Sequence, residues 1–179
     1  MNKSTFNSFK VLARIAALVM IVVALTSQGL GQSRTPTMFS GIIDDFTPVL
    51  DANGPWQVSG QWSLTLIGTT GRGNFSWAVN MLRSEDLGSG RGAHTHQVTI
   101  SNGQVTPLAN GFQISGGPQI SGSNVVITGN GNLVFPGSTV TVQVTGGSAV
   151  PFENIAVTFG GAAVTHFGDQ PFHGVVTQR

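Results

Sequence analysis

Apolar residues recur at every second position along most of this chain, and that period decides what it can fold into. Trp62, Leu64 and Leu66 alternate with polar neighbours. So do Phe75, Trp77, Val79 and Met81, then Val140, Val142 and Val144, then Ile155, Val157 and Phe159. Successive side chains of a strand point to opposite faces, so one apolar face at period two marks half-buried antiparallel strands. No stretch beyond residue 31 sustains a helical period. Turn signals separate the runs: Asn102-Gly103, Asn110-Gly111, Gly116-Gly117-Pro118 and Gly129-Asn130-Gly131-Asn132. Asn-Gly supplies the positive φ angles of a tight hairpin, so a hairpin is predicted at Asn102-Gly103, between His96–Ser101 and Gln104–Thr106. The expected fold is all-β: a single-domain antiparallel β-barrel or β-sandwich of about nine or ten strands. No fixed-period repeat supports a propeller or solenoid.

The amino terminus has a different character. Lys3, Lys10 and Arg14 lead into the apolar run Ile15–Leu25, and small residues follow up to Gly31. This order is that of a secretory signal peptide over residues 1–31, and the run falls well short of the roughly 20 residues a spanning helix needs. The expected organisation is then a signal peptide, a flexible lead-in over 32–38, and an all-β domain over 39–179. No stable membrane span is expected after cleavage, and the implied location is secreted or periplasmic. A small outer-membrane barrel is disfavoured, because the chain contains no Tyr for an interfacial girdle.

Both lysines lie in the leader. From Gln32 onward five arginines face seven acids, an excess of two negative charges. No basic patch survives, so nucleic-acid binding through phosphate neutralisation is not expected. The chain contains no cysteine. Its stability must therefore come from the core, and any transition-metal or near-neutral acid–base chemistry falls to histidine.

The four histidines fall in two places, His94-Thr95-His96 and His166 through His173. Strand parity puts His94, His96, Val98 and Ile100 on one face, and the apolar pair points that face inward. If Gly168-Asp169-Gln170-Pro171 is a hairpin loop, His166 and His173 become cross-strand partners with Cβ atoms about 4.5–5.5 Å apart. His94, His96, His166 and His173 are thus candidate ligands for one transition-metal ion, Zn or Cu. The segment from Arg83 to Gly92 concentrates charge and runs into His94. Glu85, Asp86 and Arg91 in it, together with Trp56, are the candidate ligand-binding residues. Trp62 and Trp77 share faces with Leu64, Leu66, Val79 and Met81 and read as core. Asp44-Asp45 is a weak candidate dyad, since adjacent strand residues face opposite ways.

Gly92-Ala93-His94-Thr95-His96 resembles the Gly-x-His-x-His strand of copper/zinc superoxide dismutases, and His166–His173 with Gly174 resembles their later histidine loop. The likeness covers these two short stretches only. The disulfide and two metal ligands of that family have no counterpart and the spacing between the segments is far longer, so it implies a metal on a β scaffold rather than dismutase activity. Three functions stay open: a small-ligand or metal-binding protein, an enzyme of isomerase, cyclase or metal-dependent type in a barrel cavity, and a structural or adhesive module whose histidines only support the fold.

Overall fold

The computed structural model describes residues 36–49, 55–83, 92–146 and 154–178. Ten strands follow one another: β1 (Thr37–Phe46), β2 (Gln57–Ile67), β3 (Arg72–Leu82), β4 (His94–Leu108), β5 (Gly111–Gly116), β6 (Asn124–Gly129), β7 (Asn132–Val134), β8 (Thr139–Thr145), β9 (Asn154–Gly160) and β10 (Phe172–Gln178). All pairings are antiparallel. The order β3-β2-β1-β10-β9-β8-β5-β4 closes through a β3–β4 pairing into an eight-stranded barrel, with β6 and β7 added outside β4. Closure settles barrel against sandwich and removes the open edges of the ring. β1 begins at Thr37, inside the stretch expected to be a lead-in. The expected signal peptide, residues 1–31, lies outside the described residues. No helix among the described residues is long and apolar enough to cross a membrane.

The alternating residues fill the barrel. Trp62, Leu64, Phe75, Trp77, Val79, Met81, Val98, Ile100, Val140, Val142, Ile155, Val157 and Phe159 are all buried. Each fully buried Val, Leu, Ile or Phe adds about 1.5–3 kcal/mol of transfer free energy, so this face is the main source of stability. Trp62 and Trp77 lie in this core, as their parity predicts.

The Asn102-Gly103 hairpin is not formed. β4 runs straight through it as one fifteen-residue strand. Gly73 pairs with Gly103 and Phe75 with Ile100, so Ser101 and Asn102 together oppose the single residue Asn74. Asn102 has φ 55°. The positive φ that suits a tight turn here makes a β-bulge, which bends a strand instead of reversing it. The Asn102 N–H donates to Asn74 Oδ1 at 2.8 Å, and its side-chain Nδ2 donates to Gly122 O at 2.8 Å. Gly103 is required by space: a Cβ there would lie 2.7 Å from Ile100 Cγ2 and 2.8 Å from Ile114 Cγ1. At this bend β4 changes partner. His96–Ser101 pair with β6, whereas Gln104–Leu108 pair with β5. The β6–β7 hairpin therefore flanks the first half of β4, where the histidines are.

The connection from β9 to β10 also departs from expectation. A 3-10 turn over Gly161–Ala163 leads into a single helical turn, α1 (Val164–Phe167). A hairpin would have sent His166 inward and Phe167 outward, because consecutive strand residues oppose one another. One helical turn lets both rings reach the barrel end. Phe167 is fully buried there, stacked on Phe159 at 4.2 Å between centroids. His173 pairs instead with Ala156 across β9.

Candidate metal centre

The site lies at the barrel end where β3 finishes and β4 begins. Met81 pairs with His94 and Val79 with His96. Parity holds along this strand: Val98 and Ile100 are buried, and His96 is only 7% exposed. On the other side of β4, His96 faces Gly129 of β6. A Cβ at Gly129 would lie 3.2 Å from His96 Cε1 and 3.3 Å from Nδ1, so glycine is what leaves room for the imidazole.

α1 brings His166 to these two rings. The connection is fixed by Ser138, which is buried; its hydroxyl donates to Phe135 O at 2.7 Å and accepts the Ala163 N–H at 3.0 Å. One side chain thus ties the turn after β7 to the turn that precedes α1. Phe135 in turn stacks on His166, with centroids 5.3 Å apart and planes 23° from parallel. Phe167 packs edge-on against His96 at 5.1 Å.

Three imidazole nitrogens converge. His166 Nε2 lies 3.1 Å from His94 Nε2 and 3.0 Å from His96 Nε2. The ligating atoms of all three lie within 4.8 Å of one another, so the cluster could hold a metal ion. The outer nitrogens explain why the Nε2 atoms face inward. His94 Nδ1 lies 2.6 Å from Gly92 O, and His96 Nδ1 lies 3.1 Å from Thr128 O. A carbonyl only accepts, so each Nδ1 carries the proton and donates. In the neutral rings this leaves both Nε2 lone pairs aimed at His166. Backbone carbonyls holding the remote N–H in this way are the usual support of metal-ligating histidines. Without a cation, the one Nε2 proton that His166 offers serves two acceptors.

The electrostatics agree with a site for neutral ligands. Burial, with repulsion from His94, lowers the His96 pKa from 6.5 to about 4, despite the opposing hydrogen bond to Thr128. Burial, then repulsion from His96, His94 and Arg83, lowers His166 to about 4 as well. Both rings are therefore uncharged near neutrality, the form a metal needs. Tetrahedral bonds of 2.0–2.1 Å separate ligand nitrogens by about 3.3 Å, close to the two short contacts here. No two ligands of such an ion can lie more than about 4.2 Å apart, so a wider pair within the 4.8 Å spread of the cluster would have to close for an ion to be held by all three.

His173 stands outside the cluster. Its ring is 66% exposed, and its Nδ1 and backbone N lie 3.2 and 2.8 Å from Asp45 Oδ2. Asp44 accepts from Gln57 Nε2 at 3.1 Å, and Asp169 accepts from Gln170 Nε2 at 3.1 Å. The expected His166–His173 pair is thus corrected to a His94–His96–His166 triad. Trp56 does border the triad, 4.8 Å edge-on from His94. Its backbone is pinned across the β1–β2 connection by two hydrogen bonds with Thr47, from Thr47 N to Trp56 O and from Trp56 N to Thr47 Oγ1, both 2.9 Å. The Arg83 guanidinium lies 3.9 Å over the Trp56 ring. Glu85, Asp86 and Arg91 lie outside the described residues.

Sequence reasoning missed the parts that position the triad: Thr128 O, Gly129, Phe135, Ser138 and Phe167. Gly129 reads only as turn punctuation, and nothing local ties it to His94. Comparison with known proteins finds no matching family model, no matching curated protein and no matching solved structure. The class defined by fold and site is a closed β-barrel carrying a half-buried three-histidine cluster at one end.

Proposed function

We propose that this is a secreted or periplasmic transition-metal-binding protein, in which His94, His96 and His166 hold one Zn or Cu ion through Nε2. The carrying observation is the convergence of three Nε2 atoms, two of them oriented by Nδ1–H bonds to backbone carbonyls. An all-imidazole set suits Zn, Cu, Fe and Ni in general, and three protein ligands leave a further position open for water or a small molecule. The leader-like segment before Gln32 supports export. A purely structural role for the histidines fits His173, which is satisfied by Asp45, but not the crowded triad.

Isothermal titration of the chelator-treated mature protein with Zn(II) and Cu(II) tests the reading. One equivalent is taken up by the wild type and by His173→Ala. His94→Ala/His96→Ala and His166→Ala lose it while remaining folded by circular dichroism. Absence of uptake by the folded wild type overturns the reading.

A further inference from the structure

Three described residues other than glycine have a positive φ: Asn102 at 55°, Asn130 at 49° and Phe135 at 51°. Asparagine enters the left-handed region readily, because its short polar side chain can bond locally. A large aromatic residue there is an outlier, since its Cβ crowds the following carbonyl. Pro136 comes next, and a residue before proline is pushed toward extended backbone, so the position is unfavoured twice. Such a conformation persists only where its surroundings over-determine it.

The turn after β7 does not itself call for phenylalanine. Glycine takes a φ of this sign without strain, and Gly137, two residues on, has φ 80° in the same turn. The Phe135 ring is half-buried and stands at the margin of the core. Its ring neighbours are His166 at 5.3 Å, Phe167 at 6.0 Å and His96 at 6.2 Å between centroids. Two of these belong to the triad, and Phe167 packs edge-on against both of them.

The triad shows what the ring supplies. Gly92 O and Thr128 O hold the Nδ1 atoms of His94 and His96. The described hydrogen bonds of the His166 ring all run through Nε2, to His94 and His96, and no described carbonyl holds its Nδ1. The face of Phe135, 23° from parallel, sets the plane of that ring instead.

We propose that Phe135 is a positioning residue of the metal centre. It takes a left-handed backbone so that its ring keeps His166 Nε2 turned toward His94 and His96, as a carbonyl does for the other two ligands. This rests on the metal reading above. The Ser138 hydroxyl, donating to Phe135 O and accepting the Ala163 N–H, ties the strained residue to the connection that carries His166.

Three variants separate ring from backbone. Phe135→Ala loses the ring and keeps the strain, Phe135→Gly loses both, and Phe135→Tyr keeps the ring face. In urea unfolding of the metal-free protein, Phe135→Gly is the more stable of the two truncations, the reverse of the order at an ordinary position. Zn(II) affinity follows the ring instead. Both truncations bind about tenfold more weakly, the loss expected for a group that orients a ligand from outside, and Phe135→Tyr keeps most of the affinity. In proton NMR of the metal-free protein, the carbon-bound ring protons of His166 carry an upfield ring-current shift in the wild type and Phe135→Tyr that both truncations lack. Wild-type Zn(II) affinity in Phe135→Gly, or truncations whose affinities track their stabilities, overturns the inference and leaves the metal reading standing. A folded wild type that takes up neither Zn(II) nor Cu(II) overturns both.

Discussion

Acid should weaken the metal-free protein in a window set by His96 and His166. Both have an ordinary pKa near 6.5 in the unfolded chain and about 4 in the folded one. Between those values the unfolded chain binds protons that the folded chain refuses, so unfolding free energy rises with pH there. The contribution is complete above about pH 6.5, drains as pH falls toward about 4, and does not change below that, where both states are protonated. His96 faces His94, His166 and the Thr128 carbonyl; His166 faces His94, His96 and the Arg83 charge. Each tenfold loss of proton affinity on folding is worth about 1.4 kcal/mol, so one ring taken alone would give roughly 3 kcal/mol. The rings share their mutual repulsion, which counts once, and His166 keeps some solvent. The pair is therefore worth about 2–4 kcal/mol. Urea unfolding of chelator-treated protein at about pH 7, 6, 5 and 4 reads this directly. His96→Gln/His166→Gln should show a visibly flatter pH profile, whatever its stability near neutrality. A wild-type profile that is flat across the window, or parallel to that of the double variant, refutes the reasoning.

Other outcomes follow from packing around the same end. Phe167→Ala removes a fully buried ring that stacks on Phe159 and abuts His96; it should cost about 3–5 kcal/mol in urea unfolding and weaken metal uptake through His166. Gly103→Ala forces a methyl against Ile100 and Ile114 and should cost about 1–3 kcal/mol, a neutral result contradicting the assigned bulge. His173→Ala, at an exposed pair with Asp45, should change stability by less than about 1 kcal/mol and leave metal binding intact.

The strand pattern was legible because burial on one face of a sheet writes itself at period two, and the core residues from Trp62 to Phe159 follow it. The inward direction of His94 and His96 followed from the same parity, since Val98 and Ile100 share their face. The Asn102-Gly103 hairpin is not formed because one left-handed residue serves a tight turn and a bulge alike; what separates them is whether β4 still has partners beyond it, and the β3 residues Gly73 and Arg72 that pair with Gly103 and Gln104 are distant in sequence. His166 joins His94 and His96 by a geometry other than the expected hairpin. A single helical turn is too short to leave a period, yet it alone lets His166 and Phe167 face the same way. Ser138 and Gly129 could not be found as site residues, because their importance lies in contacts with Ala163 and His96 made only on folding.

Anomalous diffraction at the metal edge, from crystals of the protein soaked in Zn(II) or Cu(II), tests the central claim most directly. The account predicts a single strong peak about 2.0–2.2 Å from Nε2 of His94, His96 and His166, with His94 Nδ1 still bonded to Gly92 O and His96 Nδ1 to Thr128 O. A peak only at His173 and Asp45, or no peak beside an unchanged triad, would contradict it.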